Sequence, residues 1–211
     1  MLIIGICGAS GSGKTTLAKE LARKIQGKTI LINQDAYYRD HAYLPFEERA
    51  KVNYDDPVVF EHDELLYDVK LLMEGKPITR KVYDYVHHCR ADMSGEMIEP
   101  AETLIIEGIH AFNDERLRDL MDLKIYIRVD PDICLIRRVK RDITERGREI
   151  QGIYDQYLKT VKPMYDKYIR GYIDYADLIV AGGGKNARIS DMLAVYINAG
   201  HLESKEENES K

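Results

Sequence analysis

Apolar residues occur along this chain in short continuous runs, separated by longer segments in which they recur every three or four residues. Continuous runs are typical of strands buried on both faces of a parallel sheet, and the wider spacing is typical of helices with one buried face. The runs predict strands at 2–7, 29–33, 103–106, 123–129 and 178–181. The spaced segments predict helices at 15–25, 63–73, 131–144 and 150–172. Alternating strands and helices predict an α/β fold with a central parallel sheet between helical layers.

The segment 78–100 departs from this alternation. Residues 79–86 and 96–99 have an extended pattern and flank a polar turn around Ser94 and Gly95. Two extended segments joined by a polar turn are typical of a β-hairpin. We therefore predict a hairpin insertion at 78–100.

The chain of 211 residues, 45% of them hydrophobic, has the size and composition of one domain with a substantial core. Residues 203–211 are almost wholly polar and charged, so they cannot bury enough apolar surface to offset the entropy of ordering. We predict a single domain over 1–202 and a disordered polar tail over 203–211.

Charge and cysteine content exclude several classes of partner. The formal net charge of −5 gives no overall positive field for nucleic acid. The three cysteines, Cys7, Cys89 and Cys134, are far apart and form no Cys-x-x-Cys pattern, which argues against disulfides and thiolate metal sites and fits a reducing cytoplasm. The apolar start at 1–7 is too short to span a bilayer and runs directly into a glycine-rich loop, so we expect no membrane partner.

That glycine-rich loop, at 8–15, matches the pattern G-x-x-x-x-G-K-[ST] and lies between a predicted strand and a predicted helix, as a phosphate-binding loop (P-loop) does. Its glycines allow successive backbone N–H groups to point at one anion, and the following helix adds the positive end of its dipole. Lys14 is expected to reach the β- and γ-phosphates of a nucleotide, and the Thr15 hydroxyl to bind Mg²⁺. The predicted nucleotide-binding residues are Gly8, Ala9, Ser10, Gly11, Ser12, Gly13, Lys14, Thr15 and Thr16.

Two carboxylates follow predicted strands at the edge of the sheet where ligands bind. In open α/β sheets the ligand lies beyond the carboxyl ends of the strands. Glu107 ends the third run and is placed to orient Mg²⁺, while Asp35 follows the second run and is placed to accept a hydrogen bond from an acceptor hydroxyl. For either acid alone, a solvated carboxylate at a helix N-terminus is the simpler interpretation, but their joint placement favours phosphoryl transfer.

A basic cluster lies in a helical segment that is interrupted at Gly147. A solvated basic face is the usual meaning of such a cluster, but a kinase must also neutralise charge on the transferring phosphate and often closes an arginine-bearing lid. We predict a lid at about 137–152 with Gly147 in its hinge. The basic residues are Arg137, Arg138, Lys140, Arg141, Arg146 and Arg148.

Taken together, these motifs resemble the uridine kinase (uridine-cytidine kinase) family, within the phosphoribulokinase-like P-loop kinases. The likeness extends from residue 2 to about residue 199. The segments that carry it are Gly-Ala-Ser-Gly-Ser-Gly-Lys-Thr at 8–15, Asn-Gln-Asp-Ala-Tyr-Tyr at 33–38, Asn-Tyr-Asp-Asp-Pro at 53–57, Val-Tyr-Asp-Tyr-Val-His-His-Cys-Arg at 82–90, Ile-Ile-Glu-Gly-Ile at 105–109, and Arg-Arg-Val-Lys-Arg-Asp-Ile-Thr-Glu-Arg-Gly-Arg at 137–148.

The resemblance implies a three-layer P-loop kinase that phosphorylates the 5′-hydroxyl of uridine or cytidine with ATP or GTP and Mg²⁺, for pyrimidine salvage. It also implies a homo-oligomer, commonly a tetramer. Its site assignments are Asp35 as the base; Asp55, Arg138 and Gln156 on the ribose; Tyr83 and His88 on the nucleobase; and Arg141, Arg146 and Arg148 in the lid and on the substrate. The metal ligands, Thr15 and Glu107, follow from the P-loop motif and the strand end.

The sequence departs from the family pattern in the acceptor region. Asp56 stands where the family usually has histidine, Lys81 stands where it commonly has proline, and His87 and Cys89 are unusual neighbours of His88. A charge near the nucleoside would alter which ring or sugar is accepted. His87 and His88, being adjacent in an extended segment, point to opposite faces, so at most one faces the substrate.

Three other functions remain open on the sequence. A kinase of the same fold could act on another nucleoside, nicotinamide riboside or a phosphorylated sugar. A GTP-binding switch normally carries Asn-Lys-x-Asp for guanine, and this tetrapeptide is missing from the chain. A nucleotide-binding scaffold would leave Asp35 and the lid arginines without a task.

Overall fold

A computed structural model describes residues 1–91 and 95–202 of the chain. Its strands are β1 (Leu2–Gly8), β2 (Thr29–Asn33), β3 (Ile78–Thr79), β4 (Tyr83–Asp84), β5 (Cys89–Arg90), β6 (Met97–Ile98), β7 (Thr103–Glu107), β8 (Leu123–Arg128) and β9 (Leu178–Ala181). Its helices are α1 (Lys14–Lys24), α2 (Phe46–Arg49), α3 (His62–Met73), α4 (Glu115–Asp119), α5 (Pro131–Arg146), α6 (Ile150–Gln156), α7 (Lys162–Lys167) and α8 (Ala187–Asn198).

Five strands form a parallel sheet in the order β2-β7-β1-β8-β9, which confirms the predicted α/β fold. The central strands β1 and β7 are almost wholly buried, which explains their continuous isoleucine-rich runs. One hydrophobic cluster, around Leu65 and Phe112, covers one face of the sheet, and a second, around Leu17 and Leu193, covers the other. The sheet therefore lies between two helical layers.

The register of the sheet brings the functional strand ends together. β1 and β2 both pair with β7, with Glu107 opposite Ile6 of β1 and opposite Asn33 of β2. The loop after β1 and the turn after β2 therefore start on either side of Glu107. This is the edge at which ligands bind in open α/β sheets.

The segment predicted as one helix at 150–172 is divided into several elements. After α6 the chain makes a π-helical turn at Tyr157–Val161, continues as α7, and ends in a 3₁₀ segment at Ile169–Tyr175. The prediction of an unbroken helix was therefore wrong. Pro163 at the start of α7 removes a backbone donor, which favours a change in the hydrogen-bond pattern at that point.

The insertion at 78–100 forms two short antiparallel ladders. β3 pairs with β6, and β4 pairs with β5, so that the chain reverses at residues 85–88. The predicted extended segment 79–86 is therefore wrong at its end, because the tip of the inner hairpin lies there. Ser94, at the predicted turn, lies outside the described residues, as does the predicted tail at 203–211.

None of the helices in the described parts of the chain combines the length and the apolar character needed to cross a bilayer.

Candidate active site

The P-loop follows β1 and leads into α1. Gly11 has a φ of +84°, and a Cβ at this position would lie 2.3 Å from the carbonyl oxygen of Cys134. Only glycine fits such a position without strain. α1 starts after Gly13 with no side-chain cap, so its first N–H groups remain available to an anion. Lys14 is buried, and its Nζ donates to the carbonyl oxygen of Ala9 at 3.0 Å.

The two predicted metal ligands, Thr15 and Glu107, lie in hydrogen-bond contact. The Thr15 hydroxyl donates to Oε1 of Glu107 at 2.8 Å, although the residues are far apart in sequence. Burial raises the pKa of Glu107, the charge of Lys14 opposes this shift, and the charge of Asp35 adds to it. A buried carboxylate beside a hydroxyl has the oxygen ligands that Mg²⁺ prefers.

Asp35 lies in a 3₁₀ turn, Gln34–Tyr37, that directly follows β2. The side chain of Asn33 caps this turn by accepting from the Asp35 backbone N–H at 2.9 Å. The Tyr85 hydroxyl, at the tip of the hairpin, donates to Oδ2 of Asp35 at 2.8 Å. Asp35 is thus held by hydrogen bonds at its backbone N–H and at one carboxylate oxygen. Sequence reasoning did not identify Tyr85.

Arg138 links the P-loop to the segment beyond the lid. It lies in the middle of α5 and is buried. One of its terminal nitrogens donates to the Ser10 hydroxyl at 3.0 Å, and the other donates to Oε1 of Gln156 at 2.9 Å. Arg148 donates to the same Gln156 oxygen at 2.8 Å. The predicted ribose-binding pair, Arg138 and Gln156, is therefore in direct contact.

The lid arginines share one carboxylate, Asp142, that was not predicted as a site residue. Asp142 is fully buried. Its Oδ1 lies 2.7 Å from Arg141 and 3.6 Å from Arg146, and its Oδ2 lies 3.6 Å from Arg138 and 3.7 Å from Arg148. Burial alone would raise the pKa of Asp142, but the charges of Arg141, Arg138 and Arg146 lower it.

α5 ends at Arg146, where Gly147 takes the left-handed conformation with a φ of 62°. A Cβ at Gly147 would meet no atom within 4 Å, so backbone conformation alone favours glycine here. The change of direction separates α5 from α6 inside the predicted lid. A hinge at Gly147 stays a prediction.

Asp55, a predicted substrate-binding residue, lines the cavity and has contacts on several sides. The Thr160 hydroxyl donates to its Oδ2 at 2.9 Å, and Arg138 lies 3.9 Å from its Oδ1. Burial raises the pKa of Asp55, and the charge of Arg138 opposes that shift. Behind it, the fully buried His110 ring pairs with the Asp55 carbonyl oxygen at 2.7 Å and with the Tyr172 hydroxyl at 2.9 Å. Sequence reasoning also missed His110, because its partners come from distant segments.

The hairpin presents Tyr83 and His88 to the same side as Asp55. His88 has a positive φ of 51°, and its ring stacks on Tyr54 with centroids 5.2 Å apart. Burial and the charges of Arg148 and other arginines lower the pKa of His88 to about 4. His87 points away and pairs with Asp84 at 2.6 Å. The two histidines do face different directions, although they lie in a turn rather than in an extended segment.

The two charged departures from the family pattern lie outside the cavity. Lys81 pairs with Asp68 and lies 3.4 Å from Glu64, behind the hairpin. Asp56 accepts a hydrogen bond from the Val58 N–H at 3.0 Å and so caps a short 3₁₀ turn. Neither side chain lines the cavity in the described part of the chain.

One cavity brings together most of the predicted site. Six predicted P-loop residues are not among those that line it: Gly8, Ala9, Gly11, Ser12, Gly13 and Thr16. The lining residues are Ser10, Lys14, Thr15, Asn33, Asp35, Tyr38, Tyr54, Asp55, Tyr83, Tyr85, His88, Glu107, Gly108, Ile109, Arg138, Arg141, Arg146, Arg148 and Gln156. The predicted catalytic, substrate-binding and metal-binding residues all line this one cavity.

Comparison with known proteins gives the same picture. Residues 3–188 match the Phosphoribulokinase / Uridine kinase family. A uridine kinase of Leuconostoc citreum is 47% identical over 195 residues, which cover 91% of this chain and 92% of that protein. A uridine kinase of Bacillus subtilis is 42% identical over 197 residues, covering 93% of each protein. A solved structure described as a possible uridine kinase from Bacillus stearothermophilus has the same fold, with a TM-score of 0.59 at 19% identity over 85% of this chain and 88% of that chain.

Proposed function

Because the chain belongs to the phosphoribulokinase / uridine kinase family, we propose that it transfers the γ-phosphate of ATP or GTP to the 5′-hydroxyl of uridine or cytidine, giving UMP or CMP. The chain is a phosphotransferase with an alcohol acceptor. The observation that carries the proposal is the single cavity in which Asp35, Asp55, the hairpin residues Tyr83 and His88, and the lid arginines face the end of the P-loop.

The residues present fit a nucleoside triphosphate and Mg²⁺. The glycine conformations of the P-loop, the uncapped start of α1 and the buried Lys14 form a site for phosphate groups. Thr15 and Glu107 are the residues that would hold Mg²⁺, through a hydroxyl and a carboxylate. When bound, the metal neutralises charge on the β- and γ-phosphates.

Asp35 acts on the acceptor side of the reaction. Its Oδ2 is occupied by the Tyr85 hydroxyl, and the residues that the structure describes place no side-chain donor on Oδ1. We propose that Oδ1 accepts the hydrogen bond of the 5′-hydroxyl, aims that oxygen at the γ-phosphorus and takes its proton late in the transfer. Arg141 and Arg146 stabilise the charge on the transferring phosphoryl group.

The nucleoside side of the cavity has separate groups for sugar and base. We propose that Asp55, Arg138 and Gln156 bind the ribose hydroxyls, and that Tyr83 and His88 contact the pyrimidine. The low pKa of His88, about 4, keeps its ring neutral at pH 7, so one ring nitrogen can donate and the other can accept. Arg148 donates to the same Gln156 oxygen as Arg138, and we propose that it also contacts the nucleoside.

A nucleoside panel tests the proposed function. Uridine, cytidine, adenosine, guanosine, nicotinamide riboside and ribulose 5-phosphate are each assayed with ATP or GTP and Mg²⁺ by coupled detection of the nucleoside diphosphate product. We expect turnover of uridine or cytidine and confirmation of UMP or CMP by chromatography. No turnover of either pyrimidine nucleoside with either donor would contradict the assignment.

Replacement of Asp35 tests its role within that function. Asp35→Ala is expected to lose most of kcat while ATP binding, measured by calorimetry, is retained. A near-normal kcat in this variant would remove Asp35 from the base role.

We propose a homotetramer on the basis of the family resemblance alone. We propose a cytoplasmic location because the three cysteines are far apart and form no Cys-x-x-Cys pattern. Light scattering coupled to size-exclusion chromatography measures the first, and fractionation of the source cells measures the second.

A further inference from the structure

Tyr85 joins two parts of the site that belong to different segments of the chain. Its hydroxyl donates to Oδ2 of Asp35 at 2.8 Å, and the guanidinium of Arg146 lies 3.9 Å from the centre of its ring. We propose that Tyr85 is a positioning residue that aims the Asp35 carboxylate and couples it to the lid through Arg146. This inference rests on the proposed function, because it takes Asp35 as the group that receives the acceptor proton.

The first half of the inference concerns the orientation of the carboxylate. The Asn33 side chain fixes the Asp35 backbone N–H at 2.9 Å, and Tyr85 fixes Oδ2. With these two points held, rotation of the carboxylate about its Cβ–Cγ bond is restricted where Asp35 lines the cavity. Holding a catalytic group in its reactive orientation removes an entropic part of the activation barrier.

The Tyr85 hydroxyl is suited to act as a constant donor. Burial raises the pKa of Tyr85 well above its usual value, and the negative charge of Asp35 raises it further. The phenol therefore stays protonated at every pH at which a kinase would be assayed. A hydrogen bond from a neutral donor to a carboxylate is among the stronger ones in proteins.

The second half of the inference concerns the lid. Arg146 is the last residue of α5, directly before Gly147, and it also lies 3.6 Å from Asp142. A cation over a tyrosine ring is attracted by the ring's electrons, so Arg146 holds the face of the Tyr85 ring while Asp35 accepts from its hydroxyl. A displacement of the end of α5 by several ångströms would break this contact, since cation–π attraction acts within about 6 Å of the ring centre. Asp35 is therefore most firmly oriented when the lid covers the cavity.

Tyr85→Phe tests the first half, because it removes the hydroxyl and keeps the ring under Arg146. We expect kcat for uridine to fall about tenfold or more, as for loss of a hydrogen bond to a charged group, with KM for uridine and ATP unchanged. Tyr67→Phe is the matched control, since Tyr67 lies exposed on α3 and loses the same atom. Wild-type kcat in Tyr85→Phe would overturn the inference.

A double-mutant cycle with Asp35→Asn shows whether Tyr85 acts through Asp35. We expect Tyr85→Phe to cost almost nothing further in the Asp35→Asn background, because the partner is already lost. If the same loss persists there, Tyr85 acts by another route and the inference fails. Near-normal kcat in Asp35→Asn alone would instead contradict the base role in the proposed function, so the two failures are distinguishable.

Tyr85→Leu tests the coupling to the lid, because it removes the ring as well as the hydroxyl. We expect a larger loss of kcat than in Tyr85→Phe. In an Arg146→Met background, Tyr85→Leu and Tyr85→Phe should lose the same amount of kcat, since the cation that the ring holds is absent. A difference of the same size in that background would overturn the coupling.

Discussion

Replacement of Asp142 by asparagine isolates the charge on which the lid arginines depend. Asp142→Asn keeps the shape of the side chain and one oxygen acceptor but removes the negative charge. The carboxylate is fully buried and has four guanidinium groups within 4 Å, those of Arg138, Arg141, Arg146 and Arg148. In the variant, these cations repel one another without a buried counter-charge.

The size of the effect follows from the burial of the partners. Loss of one member of a buried ion pair costs about 3–5 kcal/mol. Arg141, Arg146 and Arg148 keep side-chain exposures of 30%, 17% and 22%, so water screens part of their repulsion. We therefore expect a loss of about 2–3 kcal/mol in the free energy of unfolding, at or below the lower end of that range. For a chain of this length this corresponds to a fall in Tm of about 4–12 °C.

Thermal unfolding followed by circular dichroism measures this loss, and Asp155→Asn is the matched control. Asp155 lies exposed on α6 and makes one hydrogen bond, to Gln151, so the same chemical change should leave Tm nearly unaffected. ATP should reduce the difference in Tm between wild type and Asp142→Asn, because its phosphates supply the missing negative charge to the arginines. A Tm equal to that of wild type without ligand would refute the reasoning.

The pH dependence of this difference is also fixed in sign. The pKa of Asp142 is lowered in the folded protein, so its contribution to stability is complete above the unfolded pKa of about 3.9 and is lost as the pH falls through the folded value. The difference between wild type and Asp142→Asn should therefore stay constant from neutral pH down to about pH 5 and shrink only in stronger acid. A difference that decreases near neutral pH would assign the effect to another group.

The remaining predictions concern the P-loop, the nucleobase and the metal. Gly11→Ala should abolish ATP binding in calorimetry, because its Cβ would meet the Cys134 carbonyl, whereas Gly152→Ala, with open space around it, should bind normally. His88→Asn should raise KM for uridine, and asparagine tolerates the positive φ at this position. The folded pKa of His88 is about 4, below the unfolded value of about 6.5, so wild type loses stability as the pH falls from about 6.5 to about 4. His88→Asn should lose less stability over that pH range. Thr15→Ala should raise the Mg²⁺ concentration that gives half-maximal activity, and Thr15→Ser should restore it; equal Mg²⁺ dependence in all three proteins would exclude the hydroxyl as a ligand.

The strands of the sheet could be predicted from the sequence because few other structures bury a continuous apolar run on both faces. The predicted strands end within a residue or so of the observed ones. α8 was not predicted. Its buried face carries Leu193, Ala194 and Ile197, but its outward face carries Met192, Val195 and Tyr196, all largely exposed, so apolar residues occur on both sides of this helix.

Some residues of the candidate site could be recognised from their neighbours in sequence, and others depend on contacts between distant segments. The P-loop is contiguous, so its geometry could be inferred from eight residues. Asp142 also had a local signal, since it lies four residues from both Arg138 and Arg146 on one helix. Tyr85 had none, because its contact with Asp35 joins residues 50 positions apart and depends on the fold of the hairpin. Spacing along the chain cannot reveal such a pair.

Lys81 shows how an unusual residue can affect the site without contacting the substrate. The sequence suggested a charge near the nucleoside, but Lys81 pairs with Asp68, which also accepts a hydrogen bond from the Tyr37 hydroxyl at 2.9 Å. Tyr37 ends the turn that carries Asp35, and Lys81 lies two residues before β4 of the inner ladder. The buried Asp68 therefore ties the turn that carries Asp35 to the hairpin that carries Tyr83 and His88. A proline in place of Lys81 has no cation to make this bond. We therefore expect Lys81 to affect the placement of the hairpin relative to Asp35 rather than the charge of the cavity, which it does not line in the described part of the chain.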